Sequence, residues 1–184
     1  MNKPFDALIC DFFEEHTEPY LIHIPHHDDS VFVHGKVYRR QFLLENQIEW
    51  NPTLRENQDS AFNVLARVLA KNTRICSIPI YMWCDNPKSI SRRDGLYHSL
   101  NTWCAMIDSY RSLINDFSKR GLGNYAIYYS NWCLYATYYE MAHDTWFEEQ
   151  SMNKKAEVCA KLAKFYYEYE LMIKNCTEEQ LKDI

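Results

Sequence analysis

Asp59 follows Gln58 where an apolar-periodic stretch begins, and a carboxylate there admits two roles. It can take a proton from a reacting hydroxyl, or it can simply suit the free N–H groups and dipole of a first helical turn. Upstream, His34-Gly35-Lys36-Val37-Tyr38-Arg39-Arg40-Gln41-Phe42-Leu43 gathers a glycine and several cations. Gly35 permits a close backbone approach to a ligand, and Lys36 or Arg39 can face a phosphate or a polar acceptor, with His34 beside them. On the other reading, Tyr38, Phe42 and Leu43 are core while Arg39 and Arg40 meet water. Downstream, Arg92 and Arg93 offer guanidinium forks suited to diphosphate oxygens, or two solvated charges ahead of a helix. His26, His27, Asp28 and Asp29, with His23 nearby, are competent metal ligands, but adjacent residues in one loop rarely converge on one ion.

The elements that must hold these groups can be read from spacing. Phe5 to Phe13 reads as a buried strand and Tyr20 to Ile24 as a second, outer strand. Pro25 to Asp29 is a polar loop. Lys36 to Asn46 has apolar residues at roughly helical intervals. In Asn57 to Lys71, Ala61, Phe62, Leu65, Val68 and Leu69 recur at three and four residues, a clearer helix with Asn57 as N-cap. Glu56 shares the Asp59 face if that helix starts early. Residues 73–78 and 80–83 read as two strands hinged at Pro79, followed by a turn at 85–88.

Beyond residue 93 the pattern turns helical. One stripe runs through Leu96, Leu100, Trp103, Ile107, Tyr110, Leu113 or Ile114, and Phe117. After the break at Gly121 to Asn124, a second runs through Tyr125, Tyr128, Trp132, Tyr135, Tyr139 and Trp146. Val158, Leu162, Phe165, Tyr169 and Met172 make a third. These predict antiparallel helices with all three stripes as core, any exposed remainder being a partner surface.

Composition narrows the class. The chain has 184 residues, 47% of them hydrophobic and 15% aromatic, enough for a packed core. Only 4 Gly and 6 Pro speak against a barrel of many tight turns. A net charge of −5 disfavours a nucleic-acid partner. The 7 cysteines include no Cys-x-x-Cys pair, which fits reduced thiols and a cytoplasmic location better than a disulfide framework. No apolar run reaches the length of a membrane span, and no signal peptide is evident.

Taken together, His34 to Leu43, Asn57-Gln58-Asp59-Ser60-Ala61-Phe62-Asn63, and Pro79-Ile80-Tyr81-Met82-Trp83 leading into Asn86-Pro87-Lys88-Ser89-Ile90-Ser91-Arg92-Arg93 resemble the acceptor half of a family 2 glycosyltransferase of the GT-A fold. The resemblance covers roughly residues 5 to 94. It implies transfer of a sugar from a nucleotide sugar to a hydroxyl, often on a saccharide, with inversion in one displacement. Asp59 would be the base, with Gln58 where the family carries Glu. His34, Gly35, Lys36, Arg39, Gln58, Arg92 and Arg93 would line the substrate side. A divalent metal, Mg or Mn, is implied for the complete enzyme, with its Asp-x-Asp ligands outside this chain. No such motif and no Gly-rich phosphate loop occurs here.

The fold expected is therefore α/β: a partial GT-A-like mixed sheet with flanking helices over residues 1–93, then an antiparallel helical extension over 94–184. A sheet cut in this way should expose an edge and an apolar face. Three accounts compete: a fragment of a longer enzyme, which we favour; a chain that works with a donor-half polypeptide or as a homo-oligomer; and a non-catalytic module that binds carbohydrate or protein. The first predicts little transferase activity from the chain alone.

Overall fold

The computed structural model describes residues 4–15, 21–25, 33–54, 57–84, 86, 100–143 and 148–174. Two compact units divide the chain: residues 1–51 with 58–94, and residues 52–57 with 95–184.

The first unit is α/β. Its elements are β1 (Ala7–Glu15), β2 (Leu21–Ile24), β3 (Lys36–Tyr38), α1 (Arg40–Glu45), α2 (Gln58–Leu69) and β4 (Thr73–Trp83). Strand β1 is central. It pairs in parallel with β4 and antiparallel with both β2 and β3. Because β4 runs along nearly all of β1, the other two must share its opposite edge, β3 beside Ala7–Ile9 and β2 beside Phe12–Glu15. Ala7, Ile9, Cys10 and Phe12 are all buried, so β1 is covered on both faces, which explains its nearly unbroken apolar run.

Two local expectations are corrected. The stretch from Lys36 begins as strand, and helix starts only at Arg40. Pro79 does not split β4, which continues through it. The ladder absorbs the proline instead, with register shifts on either side of Asp11, the residue opposite Pro79. Strand β4 leaves large apolar side chains uncovered: Ile75, Ile78, Ile80, Tyr81 and Met82 are all exposed.

Asp6 ties the ends of these elements together. Its Oδ1 accepts from Arg39 Nη2 at 2.9 Å, and its Oδ2 accepts the backbone N–H groups of Lys71 and Asn72, each at 3.1 Å. Its own N–H donates to the Asn72 carbonyl, and its carbonyl accepts from Arg39 N. One residue thus joins the start of β1, the entry to α1 and the passage from α2 into β4.

The second unit is helical: α3 (Leu100–Lys119), α4 (Gly123–His143) and α5 (Met152–Lys174). Helix α3 closes on Gly121 at φ 73°, with Leu122 N bonded to Phe117 O and Gly121 N to Ser118 O. This is a Schellman end, which only a residue comfortable at positive φ completes cheaply. The helices run up, down and up. Trp103 and Val158 pack together with Met141 beside them, Asp108 meets Lys161, and Arg111 meets Glu168, so α5 runs with α3 and against α4.

The stripes divide unexpectedly. Trp103, Ile107, Leu113 and Phe117 of α3 are buried, as are Val158 and Phe165 of α5. The α4 stripe is not core. Its buried face is Ala126, Ile127, Ser130, Cys133 and Thr137, while Tyr125, Tyr128, Trp132, Tyr135 and Tyr139 are exposed. Small residues let α4 approach its neighbours closely and turn the aromatics outward.

Arg39, together with the Lys71 and Asn72 N–H groups, holds the Asp6 carboxyl below its ordinary 3.8 against an opposing burial effect. A depressed folded-state value means that the stabilisation is present above the unfolded value and is lost as pH falls through the folded one. Thermal denaturation should therefore show a midpoint that is steady above about pH 5 and declines more steeply in wild type than in Asp6→Asn below about pH 4. At neutral pH, Asp6→Ala should cost about 2–3 kcal/mol in chemical denaturation.

Candidate active site

Gly35 sits in a turn closed by Lys36 N donating to the Val33 carbonyl at 3.2 Å. Its φ of 66° is the positive value that a type II turn needs at this position. A Cβ here would lie 2.3 Å from the Cys10 carbonyl oxygen, and the Gly35 carbonyl accepts from Cys10 N at 2.7 Å. The close backbone approach at Gly35 is made to β1.

Past this turn, the period of two in β3 sets Lys36 and Tyr38 on one face and Val37 on the other. Tyr38 is engaged from α2: its hydroxyl donates to Asn63 Oδ1 at 3.0 Å, and its ring meets Phe62 edge-on at 5.7 Å. Phe62 also stacks on Trp50 at 4.6 Å. Asp59 precedes Phe62 and Asn63 by three and four residues, so it lies on the same stripe of α2. Asp59 and Lys36 therefore belong to the same side of the sheet. Asp59 is partly buried, and its Oδ1 accepts from Ser60 N at 3.0 Å. Gln58 is the first residue of α2 and is also partly buried.

Arg39 is committed elsewhere. Its guanidinium bonds Asp6 and, through Nε, the Phe5 carbonyl at 3.3 Å. These bonds give Arg39 a role in the fold. His34 stacks on Tyr81 of β4, with centroids 4.9 Å apart and planes 9° from parallel, and leans on Phe12 at 5.5 Å. It thus joins the turn to β4, beside a tyrosine that is 45% exposed. Arg92, Arg93 and His26 to Asp29 lie outside the described residues.

Sequence reasoning missed one polar pair. Asp11, only 2% exposed, accepts a hydrogen bond from His23 Nε2 on β2 at 2.8 Å. A buried carboxylate demands a partner, and His23 supplies one from a half-exposed position, its ring also tilted against Phe13. A carboxylate that orients an imidazole is a proton-handling arrangement in principle. The only signal in the sequence was a charged residue inside an apolar strand.

Among the described residues, no three His, Cys, Asp or Glu side chains gather as a metal-ligand set. None of the described helices is long and apolar enough to cross a membrane. Cys10, Cys76, Cys84, Cys104, Cys133 and Cys159 are free thiols. Compared with protein-family models, curated proteins and solved structures, the chain matches none.

The geometry gives Gly35 a sharp test. Gly35→Ala adds both a left-handed backbone strain and a clash with β1, and should lower stability by about 2 kcal/mol or more in chemical denaturation. Gly121→Ala shares the positive φ but has open space around its missing Cβ, so it should cost less.

Proposed function

We propose that the first unit is the acceptor side of a sugar transferase of the family 2, GT-A type, with nucleotide sugar and metal bound by residues outside this chain. The supporting observation is the common side of the sheet taken by Asp59 and Lys36 around the Tyr38–Asn63 contact. On this reading, an acceptor hydroxyl gives its proton to the Asp59 carboxylate. Its oxygen forms a bond to the anomeric carbon as the bond to the diphosphate oxygen breaks, which inverts that carbon. Lys36 lends positive charge to the departing diphosphate. The exposed apolar side chains of β4 are compatible with a sheet completed by a donor-binding half.

The test combines the full chain with the separately expressed donor half of a family 2 enzyme and measures sugar transfer to a panel of hydroxyl acceptors. Asp59→Asn should lower the rate by about 10²–10⁴-fold without changing the circular dichroism spectrum. An unchanged rate removes Asp59 from the chemistry.

A second reading is a saccharide-binding or protein-interaction module without catalysis. It is favoured by the hydrogen bond that Asp59 makes to the backbone of its own helix, and by the structural duties of Gly35 and Arg39. It predicts oligosaccharide binding in titration calorimetry that is unaltered by Asp59→Asn and by chelators.

A further inference from the structure

The outward side of α4 carries a row of large aromatic side chains that stay about half exposed, although Trp132 hydrogen-bonds Tyr110 and the Tyr125 ring meets Phe117. Tyr125, Tyr128, Trp132, Tyr135 and Tyr139 follow one another at alternating intervals of three and four residues. That is the two-per-heptad spacing of a helix-pairing seam. The rings form a connected ladder: Trp132 to Tyr135 at 6.4 Å, Tyr135 to Tyr139 at 5.9 Å, and Tyr139 to His143 at 4.2 Å. The buried face of α4 lies on the far side of the helix.

We infer that this stripe is a self-association surface, on which α4 of a second copy of the chain packs. Three observations select that occupant. The seam runs about 21 Å along the helix axis at 1.5 Å per residue, long enough to engage another helix over several turns. Its members are uncharged at neutral pH, and Glu140 and His143 are the one carboxylate and the one imidazole in the α4 sequence, so identical faces meet without repulsion. With Tyr138, which is 69% exposed and flanks the seam, about half of each ring surface is open. At ~150–250 Å² per aromatic side chain this gives roughly 600 Å² per copy and roughly 1,200 Å² per pair, the lower bound for a stable interface.

Other occupants fit less well. Helix α4 has no Lys or Arg. A helix lying on a lipid surface needs a basic polar face, and a single-stranded nucleic acid needs cations beside the stacking rings. Tyrosine and tryptophan are the residues expected at the centre of a protein interface, since each covers much apolar area while its polar atom stays hydrated at the rim.

Sedimentation equilibrium of the full chain tests this. Wild type should be a dimer at tens of micromolar protein. Tyr135→Lys, at a side chain 60% exposed, places two like charges in the seam and should weaken dimerisation at least 100-fold with an unchanged circular dichroism spectrum. Tyr128→Lys, at 58% exposure, should do the same one turn earlier, so that one misfolded variant cannot mislead. Tyr167→Lys on α5, 66% exposed and off the stripe, should leave the dimer intact. A wild type that remains monomeric at 100 µM overturns the inference, as does a dimer insensitive to both seam variants. A monomer whose tryptophan emission responds to cello- or chito-oligosaccharides would also overturn it and assign the stripe to sugar stacking.

Discussion

The carboxylate of Asp6 is the constraint on which the first unit turns. Three separate stretches of chain arrive at it: the Arg39 side chain and backbone, the Lys71 and Asn72 amides, and the first residues of β1. None of these stretches is long, and a three-residue strand such as β3 has little propensity of its own to form. What fixes β3 is its position between two anchors. Gly35 locks its entry against Cys10, and Arg39 locks its exit against Asp6. Tyr38, midway, then has a defined place from which to meet Asn63. The candidate chemistry at Asp59 and Lys36 inherits its geometry from these bonds.

Cost and benefit are unevenly distributed across the polar groups of this unit. Asp6 is nearly buried yet fully served by donors, so its desolvation is offset. Asp11 is more deeply buried, and one of its partners, His23, has a ring half in water. A bond that reaches from an exposed edge strand into the centre of a sheet is held less firmly than one made between backbones. Strands β3 and β2 hold their edge of β1 by three and four residue pairs against eight for β4, so that edge has the weaker fastening.

Much of the architecture was legible in the residue pattern, and what was not has physical causes. Strands β1 and β2, helix α2 and the three long helices follow from periodicity. Helix α1 was overextended because Val37 falls at helical distance from Phe42 and Leu43, and a short edge strand leaves no periodic signature of its own. Pro79 misled because a proline's local preference counts for less than the pairing of a whole strand with β1. In α4 the period was read correctly and its direction was not. Hydrophobic bulk suggested that Tyr and Trp face inward, whereas Ala126, Ser130 and Thr137 permit the closer packing. Among the site residues, the location of Asp59 at a helix start was readable. The capture of Arg39 by Asp6 joins positions 33 residues apart and leaves no local trace.

The irregular ladder at Pro79 has a consequence beyond accommodating one imino acid. Between Cys76 and Tyr81, five steps of β4 run against two steps of β1, from Cys10 to Phe12. The surplus chain must bow away from β1, and Ile78 and Ile80, which lie within it, are exposed, as are Ile75 and Met82 on either side. A straight strand arriving from outside can match such a contour only in short stretches on either side of the bow. A strand with exposed apolar side chains is a template for edge-to-edge pairing, and the kink shortens the straight stretch it offers, an obstacle to fibril growth written into the spacing of one strand.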